Sequence, residues 1–150
     1  MKYKNRRIAI AMLVAFEIIL LVTIILNIVA KDWRNLGVTV LAIINMLIPF
    51  LIRKIANKKE IKLPPTFEII TMIFVFLSLY LGEIHKFYYK FWWWDLLLHG
   101  IFGSYGVTIA LYLKKGIIRA EGEVTKKRYT IFTLLFAFSF SITIGVIWEV

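Results

Sequence analysis

One short stretch concentrates residues able to do chemistry: Trp92-Trp93-Trp94-Asp95-Leu96-Leu97-Leu98-His99. Asp95 and His99 are four residues apart, so on a helix they share one face, just over one turn from each other. Glu83 and His85 precede them, and Glu149 is the penultimate residue of the sequence. Imidazole and carboxylate together suit three chemistries. They can ligate a divalent metal such as zinc, manganese or iron, with His99, Glu149, Asp95, Glu83 and His85 as the candidate ligands. As a catalytic acid and base, the candidates are Asp95, His99 and Glu149. They can also pass a proton or ion, with His99 titrating near neutral pH. A fourth reading is architectural: Asp95 caps a helix, His99 bonds Glu149, and the tryptophans anchor an interface. The chain has no cysteine, so thiolate metal sites, disulfides and Cys nucleophiles are excluded. No Ser-His-Asp set and no phosphate-cradling glycine loop can be assigned, and no organic cofactor is implied.

The elements that must position these residues are membrane helices. The 150-residue chain is 61% hydrophobic, against roughly 45–50% apolar in a soluble domain. The excess lies in long runs, and runs of this length read as spans. The pattern predicts an all-α polytopic transmembrane bundle forming a single domain over 1–150. Its five spans fall at about 8–30, 36–52, 65–81, 95–113 and 129–150. Pro64-Pro65 suits the start of the third span, because a missing N–H is harmless in a first helical turn. The first apolar run is too long for a signal-peptide core and lacks a small-residue cleavage site, so it reads as an uncleaved span. The chain stops at Trp148-Glu149-Val150 with no polar tail, the pattern of a C-terminally truncated frame.

Charge sets the orientation. The N-terminal tail, the second connection and the fourth connection hold fifteen of the 19 basic residues. The first and third connections hold only Lys31, Arg34, Lys86 and Lys90. Alternate connections share a side, so the positive-inside rule puts the N-terminus in the cytoplasm and the C-terminus outside. All five tryptophans (33, 92, 93, 94 and 148) then fall at the outer face, where such rings concentrate. The net charge of +10 thus reads as a topology signal with contact to anionic lipid headgroups, and nucleic acid is not expected as a partner. Another copy or a partner membrane protein is compatible with the pattern.

Polar residues inside the spans need partners. Glu17 and Asn45 lie at similar depth in the first two spans, and a bond between them is expected to satisfy both. Glu68, in the first turn of the third span, favours the helix dipole. Small residues recur on the fourth span at Gly103, Gly106 and Ala110, and on the fifth at Ala137, Ser141 and Gly145. Such strips let helix backbones approach closely. Packing them antiparallel brings Glu149 toward Asp95 and His99.

The motifs Trp93-Trp94-Asp95-Leu96-Leu97-Leu98-His99, with Gly103 following, and Gly145-Val146-Ile147-Trp148-Glu149 resemble the uncharacterised YjdF-like bacterial inner-membrane proteins. In that group a W-D-x-x-x-H helix precedes a W-E helix. A weaker likeness is to VanZ-like membrane proteins. The resemblance covers mainly residues 85–150 and implies Asp95, His99 and Glu149 as signature polar residues, without implying a reaction. The expectation is a small multi-pass protein of the plasma or inner membrane with an acid–histidine site at the outer leaflet. The alternatives are a proton-coupled or ion transporter subunit and a metal-dependent membrane enzyme.

Overall fold

A backbone surrounded by hydrocarbon must satisfy its own N–H and C=O groups, which restricts this sequence to helices. The computed structural model describes residues 2–117 and 126–149, with side chains described in 5–113, 128–143 and 145–147. Its helices are α1 (Lys2–Val29), α2 (Trp33–Lys58), α3 (Phe67–Val75), α4 (Phe87–Lys90), α5 (Trp94–Ile117) and α6 (Lys126–Glu149). A π-helical segment, Phe76–Ile84, carries α3 onward without a break. Five stretches are long and apolar enough to cross a membrane: Asn5–Val29, Trp33–Lys58, Phe67–Ile84, Trp94–Leu113 and Arg128–Ile147. Among the described residues there is no strand.

The helices overrun the expected boundaries. Against the expected 36–52, α2 starts at Trp33 and runs on through Arg53 to Lys58. Asp32 explains the early start: its Oδ1 accepts the Asn35 backbone N–H at 3.1 Å, and its Oδ2 accepts the Asn35 amide at 2.8 Å. This satisfies donors that a helix N-terminus otherwise leaves unpaired. The third apolar helix begins at Phe67, past Pro64-Pro65, and reaches Ile84 because the π segment extends it. Three helix ends turn on left-handed residues that are not glycine: Lys31 (φ 56°), Glu60 (φ 57°) and Lys86 (φ 60°).

Contacts divide the chain into two compact units. One is Met1–Arg53 with Pro65–Leu98, and the other is Lys54–Pro64 with His99–Val150. The core of the first unit is Ala9 and Leu20 of α1, Ala42 and Met46 of α2, and Met72 and Val75 of α3. Polar bonds set its register. The Asn27 amide donates to Thr39 Oγ1 at 3.1 Å, joining α1 to α2. The Asn5 amide donates to the Pro65 carbonyl at 3.4 Å, and Phe16 stacks on Phe76 with ring centroids 4.3 Å apart. The pairs 5/65 and 16/76 keep one offset, so α3 runs parallel to α1 while α2 returns antiparallel. At the end of this unit nearer the N-terminus, Arg53 closes on Glu68 through Nε–Oε1 at 2.6 Å and Nη2–Oε2 at 2.7 Å. Its guanidinium also lies 5.7 Å from the Phe67 ring centroid.

In the second unit α5 meets α6 where small residues line up. Ser141 Oγ donates to the Gly103 carbonyl at 2.8 Å, and a Cβ added at Gly106 would lie 3.0 Å from Ser141 Oγ. Ala110 and Ala137 are buried. A parallel arrangement would require the connection to span about 40 Å. Nine residue steps reach only about 32 Å, so the two helices run antiparallel. Elsewhere the helix flanks are apolar and exposed, from Val29 to Leu134 and Ile147. Surfaces of this size and character suit lipid rather than water.

Candidate functional site

The site grows from a close backbone approach at the end of the π segment. Ser78 and Gly82 lie four residues apart, both buried, on one face of the widened helix. Gly82 has no side chain, and the Tyr88 ring of α4 occupies that space. A Cβ there would fall within van der Waals distance of the ring, with Cδ2 and Cζ at 2.9 Å. The His85 N–H donates to the Tyr80 carbonyl five residues back at 3.1 Å, so π geometry persists to the segment's end. Lys86 then turns the chain through its left-handed conformation into α4.

Two acids act on Tyr88. Burial pushes its phenol up to about 12 from an ordinary 10.0, and the negative charges of Asp95 and Glu83 push in the same direction. At neutral pH the phenol is therefore a neutral O–H donor beside two carboxylates. Glu83 comes from the π segment and Asp95 from the first turn of α5, where an acid also complements the helix dipole. Aromatic rings wall this end. Phe87 meets Trp94 edge-on at 4.9 Å and Phe91 at 5.1 Å, and Trp93 lies 5.9 Å from Trp94. Lys90 sits over the Phe87 ring, its Nζ 5.8 Å from the centroid. Trp94 is only 8% exposed, and its buried indole Nε1 has no hydrogen-bond partner.

The remaining candidates are placed as follows. His85 is exposed, with its ring edge-on to Tyr80 at 4.7 Å. His99 is exposed on α5 one turn past Asp95. Glu149 ends α6, and its side chain lies outside the described residues. Gly103, Gly106 and Ser141 meet, Ala137 is buried, and a Cβ on Gly145 would touch nothing within 4 Å. Among the described residues no three His, Asp or Glu side chains form a metal-holding group.

The bond expected between Glu17 and Asn45 is not formed. The Asn45 amide donates to the Leu41 carbonyl of its own helix at 2.8 Å, and Glu17 Oε1 is buried without a hydrogen-bond partner. Sequence reading cannot choose between a carbonyl one turn away and a side chain on another helix. Glu68 has a stronger partner than the helix dipole, namely Arg53. Sequence reasoning also passed over Tyr88 and Gly82. The available signal was a tyrosine flanked in sequence by Glu83 and Asp95, in a connection too short to carry it far from either.

A family model described as "Predicted membrane protein (DUF2238)" matches residues 10–150, and the chain belongs to that family. With five helices among the described residues able to cross a bilayer, it is a multi-pass membrane protein. No curated protein and no solved structure matches it.

Proposed function

We propose that this membrane protein takes up a cation from the outer aqueous side at the acid site around Tyr88, in the service of proton-coupled or ion transport. The observation that carries the reading is Tyr88 itself, a half-buried phenol raised to about 12 first by burial and then by the charges of Asp95 and Glu83. Two carboxylates acting on a neutral donor give an environment that favours a cation, and nearby aromatic rings lower the local dielectric and strengthen that field. A bound cation would be held by the carboxylates, with the phenol and the Trp94 indole N–H ordering its hydration.

The distribution of basic residues supports placing this end outside and the N-terminus in the cytoplasm. The basic inner connections support contact with anionic headgroups, and the exposed helix flanks suit association with another copy or a second membrane protein. The W-D-x-x-x-H and W-E motifs support membership of the YjdF-like group and, with it, a bacterial inner-membrane location.

Intrinsic tryptophan fluorescence tests the reading. The protein in nanodiscs is titrated with Na⁺, K⁺ or Mn²⁺ at constant ionic strength, with N-methylglucamine as the control cation. A saturable change is expected, lost in both E83Q and D95N and diminished in W94F. A response shared with N-methylglucamine, or one that survives E83Q and D95N, would remove cation uptake at this site.

A further inference from the structure

The outer site leaves unexplained a carboxyl group in the interior of the bilayer. Glu17 lies near the middle of the Asn5–Val29 span, and its buried Oε1 has no hydrogen-bond partner. Intramembrane acids normally pair or line a functional path. The side chain expected to pair with it, Asn45, gives its amide to Leu41 instead. Register supplies another polar group. Ten residues below Asn27 on α1 is Glu17, and ten residues along α2 from its partner Thr39 is Pro49. The two helices run antiparallel, so Pro49 lies at the depth of Glu17. Pro49 is fully buried inside α2 and has no N–H, so it cannot provide the i→i−4 bond that the Asn45 carbonyl would otherwise accept. A main-chain carbonyl without its helical donor thus lies within about one turn of the depth of an unpartnered carboxyl. Interrupted helices present carbonyls in this way at ion and proton sites of membrane proteins.

We propose that Glu17, together with the Asn45 main-chain carbonyl that Pro49 deprives of its donor, is a membrane-embedded proton-binding site. An aqueous proton forms the O–H bond on the Glu17 carboxylate, and the new O–H donates to the Asn45 carbonyl. Release breaks that O–H bond and returns the proton to water, with no change in oxidation state. The charged or titratable groups nearest this depth on the packed elements are Arg53 and Tyr80. Arg53 on α2 is closed by Glu68 of α3. Tyr80 on the π segment stacks with Phe76 and meets His85 edge-on. The proposed site shares no residue with the Tyr88 site, so either can fail while the other stands.

Dicyclohexylcarbodiimide, a lipophilic reagent for protonated carboxyl groups, tests the proposal on the full chain in liposomes, with the adduct mapped by mass spectrometry. Labelling is expected at Glu17, with a rate that falls about tenfold per pH unit above a midpoint. It should be absent in E17Q, retained in E17D, and unaffected by Na⁺. P49A, which restores the N–H, is expected to change the rate several-fold. No adduct at Glu17, when the denatured chain does label there, would overturn the proposal. So would a rate independent of pH, which would mark a permanently protonated packing residue, or protection by Na⁺, which would assign the site to sodium. An unchanged rate in P49A would remove the Asn45 carbonyl from it.

Discussion

The two ends of the first unit treat their acids in opposite ways. At the end nearer the N-terminus Glu68 meets Arg53 in a two-pronged ion pair whose side chains are only 17% and 15% exposed. The charges cancel, both oxygens of the carboxylate are used, and Phe67 covers the guanidinium. At the opposite end burial raises the Tyr88 phenol to about 12, and the charges of Asp95 and Glu83 push in the same direction. The first arrangement joins two helices. The second gathers acids around a phenol, which is what the proposed cation site would use.

The comparison predicts that mutations at the Arg53–Glu68 end reduce stability, while mutations at the Tyr88 end alter titration and binding. The largest effect is expected for R53A, which leaves Glu68 mostly buried without its partner. Breaking such a pair costs roughly 3 kcal/mol, read as a lowered Tm in detergent with cation binding intact in the folded fraction. Next is G82A, whose methyl group must displace the Tyr88 ring. Overpacking of this kind costs about 1–3 kcal/mol, and it should also return the phenol toward 10, visible in its ultraviolet absorbance. A G82A protein with normal Tm and a phenol still near 12 would break the proposed link between the π segment and the site.

Smaller effects sharpen the contrast. S141A removes the bond to the Gly103 carbonyl, and interhelical bonds in membranes average about 0.6 kcal/mol. Its Tm should fall slightly while Tyr88 titrates as before. The raised phenol also predicts a pH dependence. The folded protein holds the Tyr88 proton more tightly than the unfolded chain, so this contribution to stability is complete below pH 10 and lost as pH rises toward 12. Tm should therefore decline less steeply over that window in Y88F than in the parent.

How much of this could be read from the sequence depends on the range of the forces involved. Span existence and count are legible because long apolar runs admit one solution in hydrocarbon. The meeting of Gly103, Gly106 and Ser141 follows from small residues recurring at helical spacing. The π segment is invisible to hydropathy, since Phe76–Ile84 would be equally apolar as an α-helix. The Arg53–Glu68 pair joins residues on different helices, and reading Arg53 only as a topology signal concealed it. Asp95 and Glu83 stood out as acids at one end, but their common neighbour Tyr88 becomes visible only once Gly82 lets α4 approach. Glu17 was recognised as needing a partner, and the local carbonyl taken by Asn45 shows why depth alone does not assign one.

The most direct test of the proposed site is the titration of Tyr88, isolated as the phenolate difference spectrum between the parent and Y88F. The account predicts a midpoint near 12, lowered in D95N and in E83Q and lowered again in the parent by whichever alkali cation saturates the fluorescence change. A midpoint near 10 that ignores both acids and the cation would contradict it.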